Sequence, residues 1–156
     1  MLNNNFIIKA HTSFVGQTGY NAHARDFFTE LSKIVQVKVR NFTVGGVWHG
    51  LSAAPHEDEK YMTDYQRSLM CEQTVIKGSE PNKGSFYDAP IYSGLNFPKD
   101  NLVHIILNET NHHYFYQFDK YGNDFKIAYN VWESTLQPEN YFNALLKYDQ
   151  LWVPQV

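Results

Sequence analysis

Apolar and polar positions change period several times along the chain, and each change marks an element. Phe6-Ile7-Ile8-Lys9-Ala10 is a β-rich run that enters a polar, glycine-bearing segment (Thr12, Ser13, Gly16, Gln17, Thr18, Gly19), which predicts a buried strand leading into a loop. Asn21 then stands where a helix N-cap is expected, and Phe27, Phe28, Leu31, Ile34 and Val35 recur at helical steps as one apolar stripe. Val35, Val37 and Val39 alternate with Gln36, Lys38 and Arg40, the period of a strand with one polar face. The chain thus opens β-α-β. Such a crossover within one sheet is overwhelmingly parallel and right-handed, so the end of the first strand and the start of the helix share a crevice at residues 16–23.

The stretch 43–101 is less regular. A helix over 57–73 is expected to turn Met62, Tyr65, Leu69 and Met70 inward, whereas 78–98 mixes Gly78, Gly84, Gly94, Pro81, Pro90 and Pro98 with aromatics and reads as an irregular excursion. Order returns with Val103-His104-Ile105-Ile106-Leu107, a run of the kind a two-sided parallel sheet needs. A polar end follows it, with Asn108, Glu109, Thr110, Asn111, His112 and His113. Residues 126–131 predict another strand, ending at Trp132-Glu133-Ser134-Thr135. Pro138 suits the first turn of a helix with a Tyr141, Phe142, Leu145, Leu146 stripe, and Leu151-Trp152-Val153 is a last strand halted by Pro154. Strands alternating with helical stripes point to a single α/β domain over 1–156, a Rossmann-like open parallel sheet flanked by helices. The expected helix after the last strand is missing, so either the domain is trimmed there or another chain supplies its cover.

Composition narrows the partners. With 156 residues the chain can bury one core but not two, and its formal charge of −3 supplies no broad positive field for nucleic acid or an anionic membrane. Cys71 is the only cysteine, which excludes an internal disulfide and a paired-thiolate zinc site and fits a reducing, cytoplasmic setting. No signal peptide is evident at the start, and no window approaches the roughly 18 apolar residues of a transmembrane segment. His49, His56, Glu57, Asp58 and Glu59 cluster in sequence but lack metal-ligand spacing, so they read as a solvated loop and helix start.

Two motifs in the last third carry a resemblance. Tyr129-Asn130-Val131-Trp132-Glu133-Ser134-Thr135, then Pro138, then Tyr148-Asp149-Gln150-Leu151-Trp152-Val153-Pro154 resemble the N-terminal domain of family-four glycosyltransferases, where a Trp-Glu-Ser/Thr turn, a Pro-initiated helix and an Asp-x-x-Trp-Val-Pro strand occur in this order. Gly16-Gln17-Thr18-Gly19-Tyr20 followed by Ala24-Arg25 is similar to the family's first glycine-containing loop and helix start. The resemblance covers the first β-α-β unit and roughly the last fifty residues and leaves the middle unmatched. It implies the acceptor-binding N-terminal half of a two-domain, GT-B type retaining enzyme. In that family a second domain holds the nucleotide sugar, and nothing in this chain matches it.

The candidate site follows from strand ends and this resemblance together. Gly19 and Tyr20 stand where amides at a helix N-terminus can meet a phosphate, and Arg25, one turn inside, can reach the same anion; the alternatives are a glycine that permits a turn and a solvated arginine. The absent Gly-x-Gly-x-x-Gly argues against a nicotinamide enzyme. His112 and His113, with Asn108, follow a strand end; in many family members a histidine there lines the donor–acceptor junction, and either of the pair fits, as does a hydrogen-bonded loop histidine. Glu133 can accept hydrogen bonds from sugar hydroxyls, or serve as an acid favoured by the following helix dipole. Trp132 can stack on a pyranose or fill the core, and Ser134 and Thr135 read as turn or cap hydroxyls at the substrate's edge.

The expected function is hexosyl transfer from a nucleotide sugar to a carbohydrate or glycoconjugate acceptor, with no metal or other cofactor implied. The alternative is a non-catalytic carbohydrate- or partner-binding module, or a split subunit that needs a separate donor-binding chain.

Overall fold

The computed structural model describes residues 6–45, 59–77, 85–90, 101–107, 124–130 and 139–154. Strand β1 (Ile7–Thr12) leads into helix α1 (Gly19–Leu31), which returns as β2 (Val37–Gly45). A 3-10 turn (Glu59–Tyr61) and a short helix α2 (Asp64–Leu69) precede β3 (Met70–Lys77) and β4 (Ser85–Pro90). Then come β5 (Leu102–Leu107), β6 (Phe125–Tyr129), helix α3 (Glu139–Leu145) and β7 (Gln150–Trp152). The strands form one seven-stranded sheet in the order β4-β3-β2-β1-β5-β6-β7. Every described pairing is parallel except that of β4 with β3. The fold is therefore α/β, a Rossmann-like open sheet flanked by helices. The chain winds outward from β1 to β3, then crosses back to place β5 on the other side of β1, so the reversal of strand order lies between β1 and β5.

Alternation along the strands gives the sheet two unlike faces. Ile8 and Ala10 share a face with Val37 and Val39, with Val103, Ile105 and Leu107, and with Ile127, as the register dictates. Ala24 and Phe28 of α1 are fully buried in the core with these residues, and Phe27 and Leu31 pack partly buried against it. Burying a Phe or Ile side chain is worth about 1.5–3 kcal/mol each, so this face supplies most of the drive to form the layer. The other face carries Lys9, His11, Arg40 and His104, all buried. The polar face expected on β2 is present, but Arg40 is only 2% exposed, so that face is interior at Arg40.

Several boundaries differ from those expected. Helix α1 is capped by Thr18, not Asn21: Thr18 is extended (φ −70, ψ 160) and its Oγ1 accepts the Asn21 N–H, while the Asn21 side chain accepts the Thr18 N–H at 3.0 Å. A reciprocal capping box satisfies two end donors where Asn21 alone would satisfy one. The helix ends at Leu31, with the Ser32 N–H bonded to Phe28 O, so Ile34 falls past it and is exposed while Val35 is buried. The helix expected over 57–73 shortens to Asp64–Leu69, capped by a second box between Thr63 and Gln66. Met62, Leu69 and Met70 are buried as expected, but Tyr65 is exposed.

Strands β3 and β4 fall within the stretch expected to be irregular. In α3, Ala144 is buried while Phe142 is exposed, as is Leu146 just past the helix end, so the buried stripe is rotated from the one expected. Strand β7 forms as expected on the outer side of β6, with Leu151 and Trp152 exposed. No helix among the described residues is long and apolar enough to cross a membrane.

Candidate functional site

Open α/β sheets take their ligands in the crevice beyond the carboxyl ends of the strands where strand order reverses. Here that place is the end of β1, and residues 13–18 leave it to begin α1. Three side chains fix this loop from two elements. Asn41 of β2 accepts the N–H groups of Phe14 and Val15 on a single Oδ1, at 2.8 and 3.1 Å. Asn21 Nδ2 donates to Ser13 O and Ser13 Oγ, at 2.9 and 3.0 Å. Arg25 Nη1 donates to Phe14 O and Gly16 O, at 2.8 and 2.9 Å. Phe14 and Val15 anchor the same loop in the core. Backbone groups of a buried turn are thus satisfied by side chains, and the turn is held without secondary structure of its own.

Gly16 has φ 135, a backbone region that side chains other than glycine's rarely adopt. Gly19 differs. Its φ is not positive, and a Cβ placed there would meet nothing within 4 Å. Gly19 and Tyr20 hold the first helical positions, ahead of the first intrahelical bond from Ala22 N to Thr18 O at 3.1 Å. Their amides point with the positive end of the helix dipole toward the crevice. Tyr20 is exposed. Arg25, expected as an anion contact, is instead buried, and its Nη1 is committed to the loop carbonyls; burial lowers the pKa of its guanidinium. Its role in this geometry is to fix the loop that leads into Gly19 and Tyr20. His112, His113, Glu133, Asn108, Trp132, Ser134 and Thr135 lie outside the described residues.

Behind the crevice, on the second face of the sheet, a buried hydrogen-bond chain crosses two strands. His11 Nε2 lies 2.9 Å from His104 Nδ1, and His104 Nε2 lies 3.0 Å from Asp124 Oδ2, just before β6. With Asp124 Oδ2 as acceptor, His104 donates from Nε2, and Nδ1 of the neutral ring then accepts from His11 Nε2–H. Both imidazoles are held below their ordinary pKa. For His11 the cause is burial, followed by the neighbouring His104, Arg40 and Lys9; for His104 burial outweighs the opposing pull of Asp124. The chain runs from near the carboxyl end of β1 to the start of β6, away from the crevice, so it stiffens the sheet beneath the loop rather than lining it.

Gly19 and Tyr20 stand at the start of the helix as expected, whereas Asn41 and the strand histidines His11 and His104 were not singled out from the sequence. His104 was concealed in an otherwise apolar run. A usable signal was its place in a two-sided strand, where a polar side chain needs a partner. No protein-family model, curated protein or solved structure matches the chain.

Proposed function

We propose that this chain acts in hexosyl transfer from a nucleotide sugar to a hydroxyl-bearing carbohydrate or glycoconjugate, as the acceptor-side half of a retaining GT-B enzyme. The observation that carries the reading is the fixed β1–α1 loop at the reversal of strand order, in a chain whose later segments hold the paired 129–135 and 148–154 motifs. In this reading the donor's diphosphate approaches Gly19 and Tyr20, where prearranged amides stabilise the charge that develops as it departs. Fixing the loop beforehand matters because such stabilisation costs no reorganisation at the moment of reaction. Glu133 and Trp132 hold the acceptor sugar, Asn108, Ser134 and Thr135 border it, and His112 or His113 stands at the junction of the two substrates. No metal is required, the remaining donor contacts come from a second domain or subunit, and the setting is cytoplasmic.

The exposure of Leu151, Trp152 and Val153 at the β7 edge favours retaining a second reading, a binding module or split subunit completed by a separate donor-binding chain. A donor–acceptor screen followed by mass spectrometry separates the two. Residues 1–156 alone are expected to give no glycoside, and the polypeptide as its gene encodes it is expected to give one with retained configuration. Glycoside formed by residues 1–156 alone would remove the half-site reading; none from the encoded polypeptide would remove transfer by that polypeptide alone and leave the binding module or split subunit.

A further inference from the structure

Helix α1 places Gly19, His23 and Phe27 at intervals of four, one above another on a single face. At the level of His23 this face meets the carboxyl end of β6, where His23 Nε2 lies 3.1 Å from Tyr129 Oη. The rings form a cluster. His23 stacks on Phe27 with centroids 6.4 Å apart and meets Tyr129 edge-on at 5.6 Å, while Phe27 and Tyr129 lie 5.0 Å apart. Phe27 and Tyr129 are partly buried against the core, whereas His23 is exposed. Trp152 is the register partner of Tyr129 on the same face of the sheet; its ring is exposed and its Nε1 donates to Gln150 Oε1 at 3.2 Å.

The hydrogen-bonding character of the His23–Tyr129 pair narrows what it can recognise. If His23 Nε2–H donates to the phenol oxygen, the pair presents Nδ1 as an acceptor and the phenol O–H as a donor. If the phenol donates instead, the pair presents Nδ1–H as a donor and the phenol oxygen as an acceptor. Either way the pair keeps one further donor and one further acceptor beyond its own hydrogen bond. A sugar hydroxyl is also both, and a phosphate or carboxylate would use only half of the pair. The surrounding ring faces suit the apolar C–H face of a pyranose. One turn above, Gly19 leaves open space, and neither its backbone conformation nor its packing requires glycine.

We propose that His23 and Tyr129 form a carbohydrate contact at the carboxyl edge of the sheet, binding a hydroxyl of the acceptor sugar. This rests on the glycosyl-transfer reading and adds a specificity-determining pair to it. The test is an NMR titration of the chain with methyl α-glucoside, methyl α-mannoside and methyl β-galactoside, and separately with uridine diphosphate.

At least one glycoside is expected to shift the His23 and Tyr129 ring signals saturably. Tyr129→Phe, which keeps the ring, is expected to weaken that binding about 2- to 10-fold, the equivalent of one hydrogen bond, with an unchanged melting temperature. His23→Gln is expected to weaken it as well. If uridine diphosphate shifts the β1–α1 loop while no glycoside moves the His23 ring, the inference is overturned and the glycosyl-transfer reading stands. Silence toward all three glycosides and uridine diphosphate likewise overturns the inference. Glycoside binding unaffected by Tyr129→Phe and His23→Gln also overturns the inference.

Discussion

Asn41 holds two consecutive amides of the β1–α1 loop on one oxygen, so the loop's conformation depends on a residue of the neighbouring strand. Asn41→Ala leaves buried Phe14 and Val15 donors without that acceptor and is expected to cost about 2–4 kcal/mol in a denaturant melt, whereas Asn41→Asp keeps an acceptor and should cost less. Equal losses for the two would show that Oδ1 does not hold the loop.

His11 and His104 give the molecule a pH dependence of defined sign. Both are shifted down by burial, so as pH falls the unfolded chain takes up protons before the folded one. Their contribution to stability is complete above about pH 6.5 and is lost progressively below it, by up to about 1.4 kcal/mol per pH unit for each histidine. Thermal melts between pH 8 and pH 5 should therefore be level at the top and fall below neutrality, and His11→Gln should flatten the fall. An unaltered slope in that variant would exclude His11 as a source. Neither side chain was legible as a buried partner in the sequence, because pairing across strands depends on register, and His11 and His104 are 93 positions apart.

At the scale of elements, what was legible followed hydrophobic period. The β1-α1-β2 opening, β5, β6 and β7 were readable from apolar runs and alternation, since a strand buried on the core side must carry apolar residues every second position. Boundaries were less so. Thr18 displaced Asn21 as the cap because the choice depends on which of the two can close a reciprocal pair, and β3 was hidden because Leu69 and Met70 continue a helical spacing across the junction of α2 and β3. Of the candidate site, the helix start at Gly19 and Tyr20 was legible from the glycine-bearing segment ahead of an apolar stripe, while the buried commitment of Arg25 needed the loop's path through space.

The start of α1 also separates stability from function. Since a Cβ at Gly19 meets nothing and the backbone does not require glycine, Gly19→Ala should leave stability unchanged or raise it by up to about 1 kcal/mol. If a diphosphate approaches that backbone, the same change should weaken nucleoside diphosphate binding. A variant of undiminished stability that binds as well as the parent would show that the ligand does not come close to Gly19. Gly16→Ala, at φ 135, should by contrast be destabilising.

For the whole molecule, the sheet order, the buried second face and the clamped loop fit together as one support. The apolar face binds α1, the His11–His104–Asp124 chain ties β1 to β5 and the start of β6 on the other side, and the loop between them is set before any ligand arrives. This places the rigid part of the candidate site on β1, β2 and α1. The proposed function requires the loop at the reversal of strand order to receive a nucleotide's diphosphate. The most direct measurement is backbone amide NMR of the chain during titration with uridine diphosphate and guanosine diphosphate. Weak, saturable shifts concentrated at residues 16–20, most strongly at the Gly19 and Tyr20 amides, are expected. Shifts confined to other parts of the sheet, or none with either nucleotide, would contradict it.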